Sequence, residues 1–139
     1  MPIVLEGYSH VRLTVTDLER SRRFYDDVFG LPVAFEVPAD ADDATREQLG
    51  FLFGGLIYAL PEGRLLGLRP VAAAGDRFDE DRVGLDHVSL AVSEQGLRDA
   101  VAVLDGLGVA HEDVKDLGAA LVLEFRDPDG IALELFAAR

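Results

Sequence analysis

Two segments open the same way: "HVRLTV" begins at His10 and "HVSLAV" at His87. Two more close the same way: "PEGRLLGL" runs from Pro61 to Leu68 and "PDGIALEL" from Pro128 to Leu135. An internal repeat limits the fold more than local propensity does, because each copy must be one supersecondary unit. The opening pair alternates with period two, the pattern of a half-buried strand. Val11, Leu13 and Val15 point one way, and His10, Arg12 and Thr14 the other. Val88, Leu90 and Val92 are set likewise against His87, Ser89 and Ala91. The closing pair differs at one telling place: Glu134 stands where the first copy has Gly67.

A helix is expected after each opening strand. "TDLERSRRFYDDVFG" has Thr16 and Glu19 at capping-box spacing and Gly30 where a C-terminal cap belongs. "SEQGLRDAVAVLDGLG" starts on Ser93, a good N-cap, and stops near Gly108. Strands follow: "LPVAFEV", "FLFGGLIYAL" and "RLLGLRP" in the first half, then "VAHEDV", "AALVLEF" and "GIALELF" in the second. The acidic "ADADDATREQ" reads as a loop with a short helical turn. Each half is therefore β-α-β-β-β. The expected organisation is one domain, residues 1–139, with module one at about 5–71, a polar hinge at 72–84 and module two at 85–139.

Composition narrows the function classes. The 139 residues are 49% hydrophobic, enough for a folded core and too apolar for disorder. No apolar run reaches membrane-span length, and the start carries no secretory pattern, so a cytoplasmic protein is expected. Cysteine is absent, which removes disulfides, thiolate metal sites and cysteine nucleophiles. The net charge of −13 repels phosphate backbones and anionic lipids and favours cations. Nucleic acid and membrane are accordingly poor partners, and a small molecule is the expected one.

"SHVRLTVTDLERSRRFYDDVFGL", "LDHVSLAV" and "FRDPDGIALEL" together resemble the vicinal oxygen chelate superfamily over essentially the whole chain. That group includes glyoxalase I, extradiol dioxygenases, fosfomycin-resistance proteins, methylmalonyl-CoA epimerase and bleomycin-resistance proteins. The resemblance implies an α+β fold: two βαβββ modules whose mixed sheets form a cupped metal and substrate cavity, with helices outside. It implies one divalent ion (Fe2+, Mn2+, Zn2+ or Ni2+), with His10, His87 and Glu134 on the ligand positions and Gly67 on a fourth. It also implies a homodimer, whose modules can pair across the two chains.

The alternation of each strand agrees with that assignment. His10, His87 and Glu134 all lie opposite apolar positions, and a buried carboxylate needs a cation or partner. Two imidazoles and a carboxylate leave open coordination positions, as in non-haem Fe(II) oxygenation. Parity adds Arg12, Arg69, Ser89 and Phe136 as substrate-facing residues. His111, among acids and without a repeat partner, is expected at the surface.

Gly67 cannot coordinate, which disfavours glyoxalase I and epimerase chemistry and favours dioxygenase-like or fosfomycin-type thiol transferase-like chemistry. In those enzymes a tyrosine commonly stands ten residues before the carboxylate ligand. Here that position is Glu124: a catalytic base, a further cation-binding group or an outer-face residue. Arg12 is the other catalytic candidate. The alternative is a non-catalytic protein of bleomycin-resistance type that sequesters a cationic antibiotic, for which the negative charge is suited.

Overall fold

The computed structural model describes residues 1–139, in two compact units, Met1–Ala74 and Gly75–Arg139. Unit one contains β1 (His10–Thr14), α1 (Leu18–Phe29), β2 (Val33–Glu36), α2 (Asp43–Gln48), β3 (Leu56–Ala59) and β4 (Leu65–Arg69). Unit two contains β5 (Val88–Ala91), α3 (Glu94–Leu107), β6 (Lys115–Asp116), β7 (Ala120–Arg126) and β8 (Ala132–Ala138). Each unit has one open four-stranded sheet, ordered β1-β4-β3-β2 and β5-β8-β7-β6. The β1–β4 and β5–β8 pairs are parallel and the others antiparallel. The fold is thus α+β, built of two βαβββ units with mixed sheets.

One face of each sheet is the core. In unit one, Leu13, Val15, Leu56, Tyr58, Leu66 and Leu68 are buried, α1 packs on β4, and its buried Tyr25 ring lies 6.5 Å from that of Tyr58 on β3. The Tyr58 hydroxyl donates to the Asp26 carboxylate at 2.8 Å, which ties β3 to that helix. In unit two, Leu97 and Leu104 of α3 meet Val88, Leu121, Leu123, Phe125, Leu133 and Leu135. Alternation along β8 is strict: Leu133, Leu135 and Ala137 are buried while Ala132, Glu134 and Phe136 are not.

Four local expectations change, one of them at "FLFGGLIYAL", whose start forms a short 3-10 helix, Gly50–Leu52, so that only Leu56–Ala59 is strand. The N-cap of α1 is Asp17, not Thr16: its carboxylate accepts the Arg20 backbone N–H at 3.1 Å. A carboxylate also opposes the positive end of the helix dipole, which a hydroxyl does less well. "VAHEDV" is not a strand. It makes one isolated bridge, His111 to Phe125, before the short β6. His111 is not a surface residue either. Its side chain is 15% exposed and bonds to the Glu112 carbonyl and to the Asp105 carboxylate. Ser93 and Gly108 cap α3 as the sequence predicts. No helix is long and apolar enough to cross a membrane.

The turn between β7 and β8 sets the site. The Asp127 carboxylate accepts the backbone N–H groups of Asp129 and Ile131, both at 2.9 Å, and Gly130 adopts φ 82. Such a conformation strains any residue with a Cβ. This tight turn fixes the hairpin register, placing Glu124 directly opposite Glu134. Segment 76–86 is bonded to the same hairpin through Phe78 N–H to the Asp129 carbonyl and through the Arg126–Glu80 ion pair.

Candidate metal centre

Glu134 lies between Leu133 and Leu135, which are 2% and 4% exposed, so strand geometry directs its carboxylate to the opposite sheet face. Its side chain is only 14% exposed there. The parallel pairing of β5 with β8 sets Ser89 beside it, and the Ser89 hydroxyl donates to Glu134 Oε1 at 2.7 Å. His87 Nε2 is 3.8 Å from the same oxygen. Across the hairpin Glu124 faces Glu134 and binds Lys115 Nζ at 3.0 Å. Glu124 is therefore on the inner face with Glu134. Two carboxylates directly opposed on antiparallel strands destabilise the pair unless something cationic joins them.

The histidine is braced from behind. His87 Nδ1 is 2.6 Å from Asp86 Oδ1, so the carboxylate accepts the Nδ1 proton and Nε2 is free to face Glu134. The Asp86 hydrogen bond, helped by Glu134 and Glu124, raises the imidazole pKa above its ordinary value. Glu124 raises that of Lys115. A carboxylate on one ring nitrogen and a free lone pair on the other is the arrangement of metal-ligating histidines. His87 and Glu134 thus fit one side of a divalent ion, by donor type and by orientation. No group of three or more His, Asp and Glu side chains that could hold a metal ion occurs in the chain.

His10, the remaining expected ligand, belongs to unit one. There the Ser9 hydroxyl lies 3.0 Å from His10 Nδ1. Ser9 and Asp86 occupy the same repeat position and each meets the Nδ1 of its histidine, but only the carboxylate fixes which nitrogen carries the proton. Sequence reasoning passed over both, although the residue before each repeated histidine was the signal available. Lys115 was missed as well, because its contact with Glu124 depends on the β6–β7 pairing.

Gly67, expected at a fourth ligand position, lies under another residue. Arg12 pairs with Gly67 across β1 and β4, and a Cβ on Gly67 would lie 3.0 Å from Arg12 Cγ. The arginine stem therefore runs over the glycine. A cavity of about 280 Å3 beside it is lined by His10, Arg12, Phe35, Phe51, Ile57 and Leu65. Arg69 lies on the same face, its guanidinium 4.2 Å from the Phe53 ring centroid. Phe136, on the Glu134 face of unit two, is 38% exposed and so is not a core residue.

Residues 7–135 match the family described as the Glyoxalase/Bleomycin resistance protein/Dioxygenase superfamily. No curated protein matches the chain. Among solved structures, a glyoxylase/bleomycin resistance protein/dioxygenase domain from Frankia sp. EAN1pec is 33% identical. It covers 98% of this chain and 100% of its own, with a TM-score of 0.78. A glyoxalase/dioxygenase from Nostoc punctiforme is 24% identical over 100% and 99%, with a TM-score of 0.75. The fosfomycin resistance protein FosX of Listeria monocytogenes, complexed with Mn(II) and 1S,2S-dihydroxypropylphosphonic acid, is 16% identical over 98% and 95%, with a TM-score of 0.71. Those last two likenesses concern the fold alone. From the repeat, the paired βαβββ units and the match over residues 7–135, this chain belongs to the Glyoxalase/Bleomycin resistance protein/Dioxygenase superfamily.

Proposed function

We propose that the protein is a divalent-metal-dependent enzyme acting on a small molecule with neighbouring oxygens, with His10, His87 and Glu134 as the ligand set. The observation that carries this reading is the Asp86–His87···Glu134–Ser89 array, which points one imidazole lone pair and one carboxylate at a common place. Lys115 takes up the opposed Glu124, which leaves Glu134 with Ser89 and His87 as its partners and room for a cation to complete its charge. When bound, the ion supplies Lewis acidity at the substrate oxygens. The residues of the chain orient, exclude and transfer. Asp86 and Ser9 hold the ring orientations of their histidines. Ser89 holds the Glu134 carboxylate. Glu124 takes the substrate proton, with the Lys115 ammonium, 3.0 Å away, holding it in place. Arg12 and Arg69 position the substrate, and Phe136 supplies an apolar contact.

Gly67 brings no side chain and has the Arg12 stem, not a carboxylate, over it, which favours a three-ligand site over glyoxalase I or epimerase chemistry. The two reaction classes that use such openness are dioxygenation and thiol addition. Mn(II) in the FosX neighbour is consistent with a divalent ion in this fold. Against sequestration of a cationic drug stand two arginines with no carboxylate partner on the unit-one face.

The test is metal analysis of the purified wild type and of His10→Ala, His87→Ala and Glu134→Ala, followed by oxygen- and thiol-consumption assays of the metal-loaded protein. Loss of metal in each variant is expected. Unchanged metal content after removal of any two ligands would refute the assignment. Antibiotic binding that persists without metal would favour the sequestration reading.

A further inference from the structure

We propose that Arg12, Arg69 and Phe53 of unit one form a clamp for an oxyanion, a carboxylate or phosphonate carried on a small apolar body that enters the adjacent cavity. The inference rests on the reading above only in calling that anion the substrate. It does not depend on a metal.

The first observation is electrostatic. Acidic residues outnumber basic ones, 26 to 13, and arginines elsewhere take them up: Arg22 pairs with Glu36, Arg126 with Glu80 and Arg139 with Glu94 and Asp116. Arg12 and Arg69 take none. The Nε atoms of both are buried without a hydrogen-bond partner. A guanidinium with a buried, unpaired nitrogen and no carboxylate beside it is unfavourable, and an oxyanion held by its outer nitrogens is the ligand that would offset its charge.

The second is geometric. Both guanidinium groups approach the ring of Phe53, at 4.2 Å for Arg69 and 5.8 Å for Arg12. Two like charges sharing one aromatic ring leave an unfilled demand for an anion. Arg12 is held in that pose by its bond to the Phe51 carbonyl and by the space above Gly67.

The third is strain. Phe53 has φ 50, a conformation unfavourable for a bulky residue. Its cause is local. Phe53 caps a short 3-10 helix, Gly50–Leu52, through its N–H to the Gly50 carbonyl, and Gly55, where a Cβ would come 1.8 Å from the Leu68 carbonyl oxygen, brings the chain against β4. Strain of this kind persists only where the surrounding structure over-determines it, and it clusters at ligand clamps. The cavity of about 280 Å3 next to Arg12, walled by Phe35, Phe51, Ile57 and Leu65, suits a single small ring or a short chain.

The experiment titrates phenylphosphonate into protein stripped of metal on a chelating resin, by calorimetry, with benzylamine as the cationic control. One-to-one binding of phenylphosphonate and none of benzylamine is expected. Arg12→Gln and Arg69→Gln should each raise Kd about tenfold or more, the scale of a lost charged hydrogen bond. Arg69→Lys, which keeps the charge but not the fork, should fall between. Failure of the wild type to bind, equal binding of benzylamine, or Kd values within twofold of wild type in the folded Gln and Lys variants would overturn the proposal. Glu134→Gln should leave this Kd unchanged, so the metal reading can fail while the clamp stands, and the reverse.

Discussion

Replacing Glu134 by Gln should have opposite effects on the metal-free and metal-loaded protein. The amide keeps a carbonyl oxygen for the Ser89 hydroxyl, 2.7 Å away in the wild type, and preserves side-chain volume at a position 14% exposed. What it removes is a negative charge directly across the hairpin from Glu124. A like-charge cross-strand pair costs about 0.2–1 kcal/mol, and the attraction of His87 and Lys115 for Glu134 offsets part of it, so the metal-free variant should be at most slightly more stable than wild type. With metal the order reverses. An ion at a hundred times its Kd stabilises the wild type by about 2.7 kcal/mol. For a chain of this size that is a rise of roughly 8–10 °C in Tm. The variant, short of a ligand, should gain little. The assay is thermal unfolding by calorimetry at pH 8, with and without Mn2+, Zn2+, Ni2+ or anaerobic Fe2+. A wild-type Tm that ignores all four ions, or a variant that rises as far as wild type, would refute the reasoning. So would a metal-free variant less stable than wild type by more than about 1 kcal/mol, since the Glu134 charge would then be stabilised by the protein alone.

Asp86→Asn should weaken metal affinity about 10- to 100-fold while leaving the His87 ligand in place, because the brace on Nδ1 sets the ring orientation; a competitive chelator titration measures it. Folding raises the His111 pKa above 6.5, first through the Glu112 carbonyl and then through Asp105. That contribution is complete below the ordinary value and lost as pH rises through the raised one, so urea stability should fall across that window and Asp105→Asn should flatten the fall. The Arg126 guanidinium holds the Glu80 carboxyl down to about 2, so its contribution is present above ordinary carboxylate pH and lost on approach to that value; Glu80→Gln should blunt the acid limb of unfolding. Leu123→Ala, at a fully buried position of β7, should cost about 2–5 kcal/mol in denaturant unfolding.

The sequence by itself determined which side of each strand is which. Period two placed His10, His87, Ser89 and Glu134 opposite the core, and the observed burial along β1, β5 and β8 follows it. Glycine and serine at the helix ends marked α1 and α3 closely, since caps are local chemistry. Periodicity assigns a face but not a neighbour. That Glu124 opposes Glu134 depends on a hairpin register set by the Asp127 carboxylate gripping two backbone N–H groups. That Arg12 crosses Gly67 depends on a parallel pairing reached only after the chain has passed through α1, β2, α2 and β3. His111 failed for the same reason: an acid-flanked histidine reads as exposed until α3 brings Asp105 to it. The strands were written in the alternation of residues, whereas the partners that orient, satisfy or strain the site residues were decided by which strands the tertiary structure set side by side.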